Sequence, residues 1–259
     1  MRPDIGAALR LRRKQRAQLQ IGTRSIALHT QGTAREQRTV DARSLDETCA
    51  AVRTSLAAHP GLAIDVRLVC AWSHLLLLPW VAQLTREDRW QNYARARFEQ
   101  VYGESAEAWD IRVARDWPGR DRLAVAWPAA LRDEIATHRN VRSVRIGLLE
   151  HLGVLLAREP AFSGCITEIE PDGAGFLFLV AGRLRRARWS RFEDAEGLAT
   201  AMRAEWASIV ASEAIAPGAA AALALTPPAP QPGSDRARTV AALAYGLGIR
   251  RVFTLPEWA

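Results

Sequence analysis

Few residues in this chain combine the type and the spacing that catalysis needs. Ser73 and His74 are adjacent, but neighbours on an extended strand point to opposite faces, so they cannot act as nucleophile and base. No Gly-x-Ser-x-Gly elbow occurs, which excludes the common α/β-hydrolase arrangement. The five histidines (His29, His59, His74, His138 and His151) show no metal-ligand spacing, and Cys49, Cys70 and Cys165 form no Cys-x-x-Cys pair. Lys14, the only lysine, lies between Arg13 and Gln15 and not after a glycine-rich turn, so no P-loop ammonium is available to bridge β and γ phosphates. Gly246-Leu247-Gly248 lacks the third glycine and following helix of a dinucleotide fingerprint. Glu168, Glu170 and Asp172 cluster late in the chain, whereas the first strand, around Gln20 to Leu28, carries no carboxylate to share a two-metal centre with them. Ion-paired surface residues at a turn are the plainer reading of that cluster. No residue is assigned a catalytic or metal-binding role.

The elements that would position these residues can be read from periodicity and turn signals. β-type residues run from Gln18 to His29 and from Ala34 to Val40, around the turn Thr30-Gln31-Gly32. Ser44-Leu45-Asp46-Glu47 is a capping box, and Leu45, Cys49, Val52 and Leu56 follow at helical spacing. Ile64 to Trp72 reads as a buried strand, and the apolar run Leu68 to Leu84 as that strand leading into a loop. A second capping box, Thr85 to Asp88, opens a helix with Trp90, Ala94, Phe98 and Val101 on one stripe and Gly103 just past its end. Pro118-Gly119 marks a hairpin between Trp109–Trp117 and Arg122–Trp127, Pro128 opens a short helix, and Val141 to Ile146 is a strand feeding a helix over Leu148 to Arg158. Three β-runs then recur (Phe162–Glu170, Gly175–Ala181, Leu184–Trp189), followed by a helix bearing Leu198, Met202, Trp206 and Ile209. A βββαβα order is thus followed by βββα, a quasi-repeat that carries more weight than any single motif.

The chain of 259 residues is 49% hydrophobic and 24% charged, as expected of a folded protein with a substantial core. Its net charge of +7 comes almost wholly from arginine, a skew that a GC-rich genome produces without a polyanion partner. In the second basic cluster Arg183, Arg185 and Arg191 alternate with Leu184 and Phe192, as on a solvated strand face. The scattered cysteines fit a reducing compartment, and neither a secretory signal nor a membrane span is expected.

The quasi-repeat resembles the actin-like ATPase fold: duplicated α/β halves of ribonuclease H-like βββαβα order, the second one abbreviated. Gln20-Ile21-Gly22-Thr23-Arg24-Ser25 resembles the first phosphate loop of that family. Leu75 to Gly103 is similar to PilM-like pilus assembly proteins and to the cytoplasmic domain of type II secretion L proteins. Cys165 to Trp189, with Gly182-Arg183 at its outer turn, resembles the second phosphate hairpin. The match runs over residues 18 to 212. It implies a first actin-like subdomain (17–160) and a second, abbreviated one (161–215); residue composition and patterning add a basic leader (1–16), a Pro/Ala linker (216–235) and a C-terminal helix–strand segment (236–259) whose strand is expected to dock back on the sheet. It also implies a degenerate nucleotide cleft formed by Gly22, Thr23, Ser25, Asp172 and Gly173, in which Glu168 or Glu170 could stand for the family's aspartate.

Gln20 stands where the family has the acidic residue that positions magnesium, and a neutral amide cannot supply that charge. No cofactor is therefore expected, ATP with magnesium being the one the fold would imply. The expected role is a non-catalytic, cytoplasmic pseudo-ATPase scaffold. Its partners would be proteins of a pilus or secretion machine: an assembly ATPase, or the tail of an inner-membrane protein that brings the chain to the membrane. Trp80, expected as an exposed anchor, Arg183 and Arg185 are the candidate partner contacts. Two alternatives stay open: a ribonuclease H-like nucleic-acid-binding module using the arginine-rich strands, and an active ATP-dependent enzyme of the actin superfamily.

Overall fold

The computed structural model describes residues 16–23, 25–30, 36–39, 44–116, 118–170, 173–191, 195–212, 222–226 and 251–254. Three strands open the chain, β1 (Arg16–Ile21), β2 (Ser25–Thr30) and β3 (Glu36–Thr39), followed by α1 (Leu45–Ala57) and β4 (Ala63–Leu68). An insertion of β5 (His74–Leu78), α2 (Glu87–Tyr102), β6 (Trp109–Val113) and β7 (Arg122–Pro128) leads to α3 (Ala129–Ala136), β8 (Val141–Ile146) and α4 (Gly147–Arg158). The second half contains β9 (Gly164–Glu170), β10 (Gly173–Val180), β11 (Arg183–Arg191), α5 (Ala195–Ser212), β12 (Ala222–Thr226) and β13 (Arg251–Thr254).

Two five-stranded sheets repeat one plan. Their orders are β3-β2-β1-β4-β8 and β11-β10-β9-β12-β13, and in each the first three strands are antiparallel while the last two add in parallel. The insertion forms a third sheet, β5-β7-β6. The duplication read from the sequence is therefore present. The second sheet has as many strands as the first.

Local chemistry explains most element ends. Ser44 Oγ accepts from the Glu47 amide at 3.1 Å, which caps α1. The box expected at Thr85 is not used: α2 starts one residue later, with Arg86 at the cap and no side-chain bond to it. At the other end of α2 Gly103 has φ of 71°, the left-handed conformation that glycine adopts without penalty. Pro128 closes β7 and caps α3 without a donor of its own. Leu19 and Ile21 of β1, Ile64, Val66 and Leu68 of β4, Val52 and Leu56 of α1, and Leu131 and Ile135 of α3 interlock as one buried cluster.

Two expectations fail here. The strand read over Ile64 to Trp72 stops at Leu68, and Cys70–Trp72 makes a 3-10 turn; the apolar run then re-enters a sheet as β5. Residues 216–235, expected as a Pro/Ala linker, include β12, which pairs in parallel with both β9 and β13. Alanine has little strand preference of its own, so the signal lies in the neighbouring strands that supply the hydrogen bonds. The strand expected near the C-terminus does dock back, as β13.

The β10–β11 hairpin turns at Ala181-Gly182, with φ of 48° and 74°, as in the two-residue turns that suit a twisted hairpin; Arg183 is already strand. A Cβ on Gly182 would stand 1.8 Å from the Pro160 carbonyl oxygen, and the Gly182 amide donates to Phe162 O at 2.8 Å. Gly182→Ala is expected to lower stability by about 2–3 kcal/mol, read from the urea midpoint, because a backbone carbonyl cannot yield as a side chain can.

Candidate functional site

The first candidate loop lies between β1 and β2. The Gly22 amide donates to Ser25 O at 2.8 Å, closing a tight hairpin, and the Val69 amide donates to Ile21 O at 3.1 Å. The Trp72 indole donates to the Gly22 carbonyl at 3.0 Å. Ser25 is buried, and Thr23 Oγ1 is shielded from solvent with no hydrogen-bond partner among the described residues. Gly173, of the second candidate loop, pairs with Glu170 across β9–β10, and a Cβ there would lie 2.6 Å from Trp189 Cζ2. Asp172 lies outside the described residues.

What connects these two regions is the 3-10 turn Cys70–Trp72, which sequence reasoning read as strand. Glu168 Oε2 accepts from the Cys70 amide at 3.0 Å, and Glu170 Oε1 accepts from the Ala71 amide at 3.1 Å. Arg67, near the end of β4, donates to Glu168 Oε1 at 3.1 Å and faces Glu150 at 3.8 Å. Arg145 holds the other Glu150 oxygen at 3.0 Å. Arg67, Glu168, Glu170 and His151 are all buried, so the expectation that the late acidic cluster forms surface ion pairs at a turn is corrected for Glu168 and Glu170. Each places one oxygen on a backbone amide of the other half.

Burial raises the Glu168 carboxyl above its ordinary value and Glu150 pushes the same way, while Arg67 and the Cys70 amide oppose both. Burial, then the nearby Arg67 charge, lowers His151 to about 4. The Cys70 thiol is raised well above its usual range by burial and by Glu168 and Glu170, so it is protonated and inert as a nucleophile at neutral pH.

The halves approach closely because two glycines allow it. A Cβ on Gly147 would meet Arg67 Nε at 2.5 Å and Glu168 Oε1 at 2.6 Å, and one on Gly175 would lie 2.4 Å from Cys70 Sγ. Around them Cys70, Leu75, Leu148, Leu155, Ile166, Leu177 and Leu179 form one buried cluster drawn from both halves and the insertion. A bulge at Arg185 re-phases β11, so Leu184, Ala187 and Trp189 all pack on that cluster despite their odd spacing.

The candidate partner residues are dispersed. Trp80 is half-buried: its ring lies 5.7 Å from that of Trp90, and its amide donates to Asp121 at 3.0 Å, so it is a packed residue and not the exposed anchor expected. Arg183 is exposed at the start of β11, Arg185 is half-buried, and Arg186 and Arg188 both pair with Glu205 of α5. The basic strand is thus partly neutralised within its own half.

A different surface stands out. A groove of 840 Å³ runs beside β8, floored by Asp110, Arg112, Val125 and Trp127 of the third sheet and walled by Arg139, Arg142, Val144 and Leu149. β8 is the edge of its sheet, and among the described residues nothing pairs with its outer side. Asp110 is engaged by Arg112, Arg132 and the Trp127 indole, and Glu150 by Arg67 and Arg145. Arg139 and Arg142 are exposed and have no ion-pair partner among the described residues. Among those residues no group of three potential metal-binding side chains converges, and no helix is long and apolar enough to cross a membrane.

No protein-family model matches this sequence, and no curated protein matches it either. Solved structures do. A Bacteroides thetaiotaomicron protein described as having an actin-like ATPase fold and unknown function superposes with a TM-score of 0.62 at 9% identity, over 93% of this chain and 91% of that one. A PilM–PilN type IV pilus biogenesis complex gives 0.61 at 12% identity, over 94% of this chain and 89% of that one. The cytoplasmic domain of EpsL, an inner-membrane component of the Vibrio cholerae type II secretion system, gives 0.50 at 11% identity, over 90% and 94%. The chain has the actin-like ATPase fold.

Proposed function

We propose that this protein is a non-catalytic scaffold of actin-like fold, acting in the cytoplasm within a type IV pilus or type II secretion-like assembly, and that it works by holding a segment of a protein partner. The groove beside β8 is the observation that carries this reading. It combines a strand edge and two guanidinium groups, Arg139 and Arg142, that have no partner among the described residues, with apolar Val144, Leu149 and Trp127. Such a surface favours an extended segment with apolar side chains flanked by carboxylates, for which main-chain pairing supplies affinity and side-chain pockets supply selectivity. The likeness to a pilus complex and to a secretion domain supports the choice of assembly. The tail of an inner-membrane protein is the partner proposed, and it would bring the chain to the membrane.

Titration calorimetry with synthetic cytoplasmic tails of the same organism's inner-membrane pilus and secretion components tests this. One tail is expected to bind, and Arg139→Glu/Arg142→Glu is expected to weaken it about tenfold or more, with thermal stability unchanged. Absence of binding by every tail, or equal binding by the substituted protein, overturns the reading.

A further inference from the structure

We infer that this protein closes the cleft between its two halves with its own carboxylates, Glu168 and Glu170 acting as a latch on the Cys70–Ala71 turn and on Arg67 instead of serving a metal–nucleotide complex. The fold implies ATP with magnesium, and among the described residues those at the cleft do not fit that group. Magnesium requires hard oxygen ligands, at least one of them usually a carboxylate. The first loop offers the Gln20 amide and the Thr23 and Ser25 hydroxyls but no carboxylate, and its Gly22 carbonyl already accepts from the Trp72 indole. In the second half Glu168, 4% exposed, has one oxygen on Arg67 and the other on the Cys70 amide. Glu170, 8% exposed, has Oε1 on the Ala71 amide. Bringing a dication to these carboxylates would require breaking bonds that join the halves and would set it against the buried Arg67 guanidinium.

The construction is continuous. β4 supplies Arg67, the turn after it supplies two amides, β9 supplies both carboxylates, and α4 supplies Glu150 at its N-terminal end. Gly147 and Gly175 are the positions where any side chain would separate these parts. The Val69 amide on Ile21 O and the Trp72 indole on Gly22 O tie the same turn to the first loop. One short segment therefore fixes both candidate loops, and the shape offered to a partner does not depend on nucleotide. The latch shares Glu150 with the lining of the β8 groove, but its two measurements read nucleotide binding and amide exchange and not partner binding.

Two measurements test it. Melting of the full chain with and without millimolar magnesium–ATP is expected to give the same midpoint; a magnesium-dependent rise overturns the latch, because a ligand of the folded form raises the midpoint by mass action. Hydrogen exchange of Glu170→Leu, which leaves the Arg67–Glu168 pair in place, is expected to show the Ala71 amide exchanging about tenfold faster or more, the factor that loss of a bond to a charged acceptor corresponds to. Exchange in α2 and β6–β7 is expected to stay as in the parent. Unchanged exchange at Ala71 overturns the proposal. If that variant does not fold, the paired Arg67→Met/Glu168→Leu replacement is read in the same way at Cys70, where faster exchange supports the latch and unchanged exchange overturns it.

Discussion

Glu168→Ala should lower the unfolding free energy by about 3–5 kcal/mol, because removing one partner of a buried pair leaves an uncompensated charge. Arg67 would then face only Glu150, 3.8 Å away, and the Cys70 amide would lose its acceptor inside the protein. The pair itself is worth much less than that loss, since both charges gave up hydration to enter the interior. Arg67→Met/Glu168→Leu is accordingly expected to recover most of the deficit. Urea unfolding of the parent, Glu168→Ala and the double variant measures it. A Glu168→Ala cost below about 1 kcal/mol would mean that water or another group compensates Arg67, and the latch would lose its energetic basis.

Trp90→Ala should cost about 3–5 kcal/mol, the range for truncating a large aromatic in a packed core. Trp90 is fully buried, and its indole N–H donates to Leu84 O at 2.6 Å. The Arg122 guanidinium stands 4.6 Å from the ring, and Trp80 and Tyr93 pack around it. The loss falls on the insertion, whose cluster of Leu78, Ala94, Phe98, Ile111, Ala124 and Ala126 is distinct from the cores of the two halves. Limited proteolysis is therefore expected to cut the variant between residues 74 and 128 before the sheets of the halves open. Because β6 and β7 floor the groove, partner binding should fall together with this local order. Trp90→Phe keeps one aromatic ring but loses the second ring and the N–H donor, and should cost less than Trp90→Ala, about 1–3 kcal/mol. Uniform cleavage along the chain would show that the insertion is not a separate cooperative unit.

The same contrast between local and long-range contacts decides what could be read from the residues. Leu19, Ile21, Ile64, Val66 and Leu68 alternate or cluster within a few positions of each other, so β1 and β4 are written in periodicity. The Ser44 cap and the glycine at the end of α2 are equally local. Repetition of three β-runs and a helix was enough to indicate the duplication. The unused cap at Thr85 and the strand read through Cys70–Trp72 show where local rules stop: at Cys70–Trp72, Glu168 and Glu170 hold a turn that short sequence patterns leave degenerate.

The sequence by itself determined most of the strand and helix order (β5 and β12 excepted), the duplicated plan, the neutral Gln20 in the first loop and the lack of a catalytic motif, because each is a matter of residue type and spacing along the chain. Tertiary structure alone decided that β12 joins the second sheet, that Trp80 is packed, that Glu168 and Glu170 bind Cys70 and Ala71, and that β8 borders a groove. The physical reason is separation. Glu168 meets a residue 101 positions away in Arg67. No periodicity spans such a distance; only the meeting of two sheets makes a carboxylate at the end of β9 a buried latch and leaves the edge of β8 open.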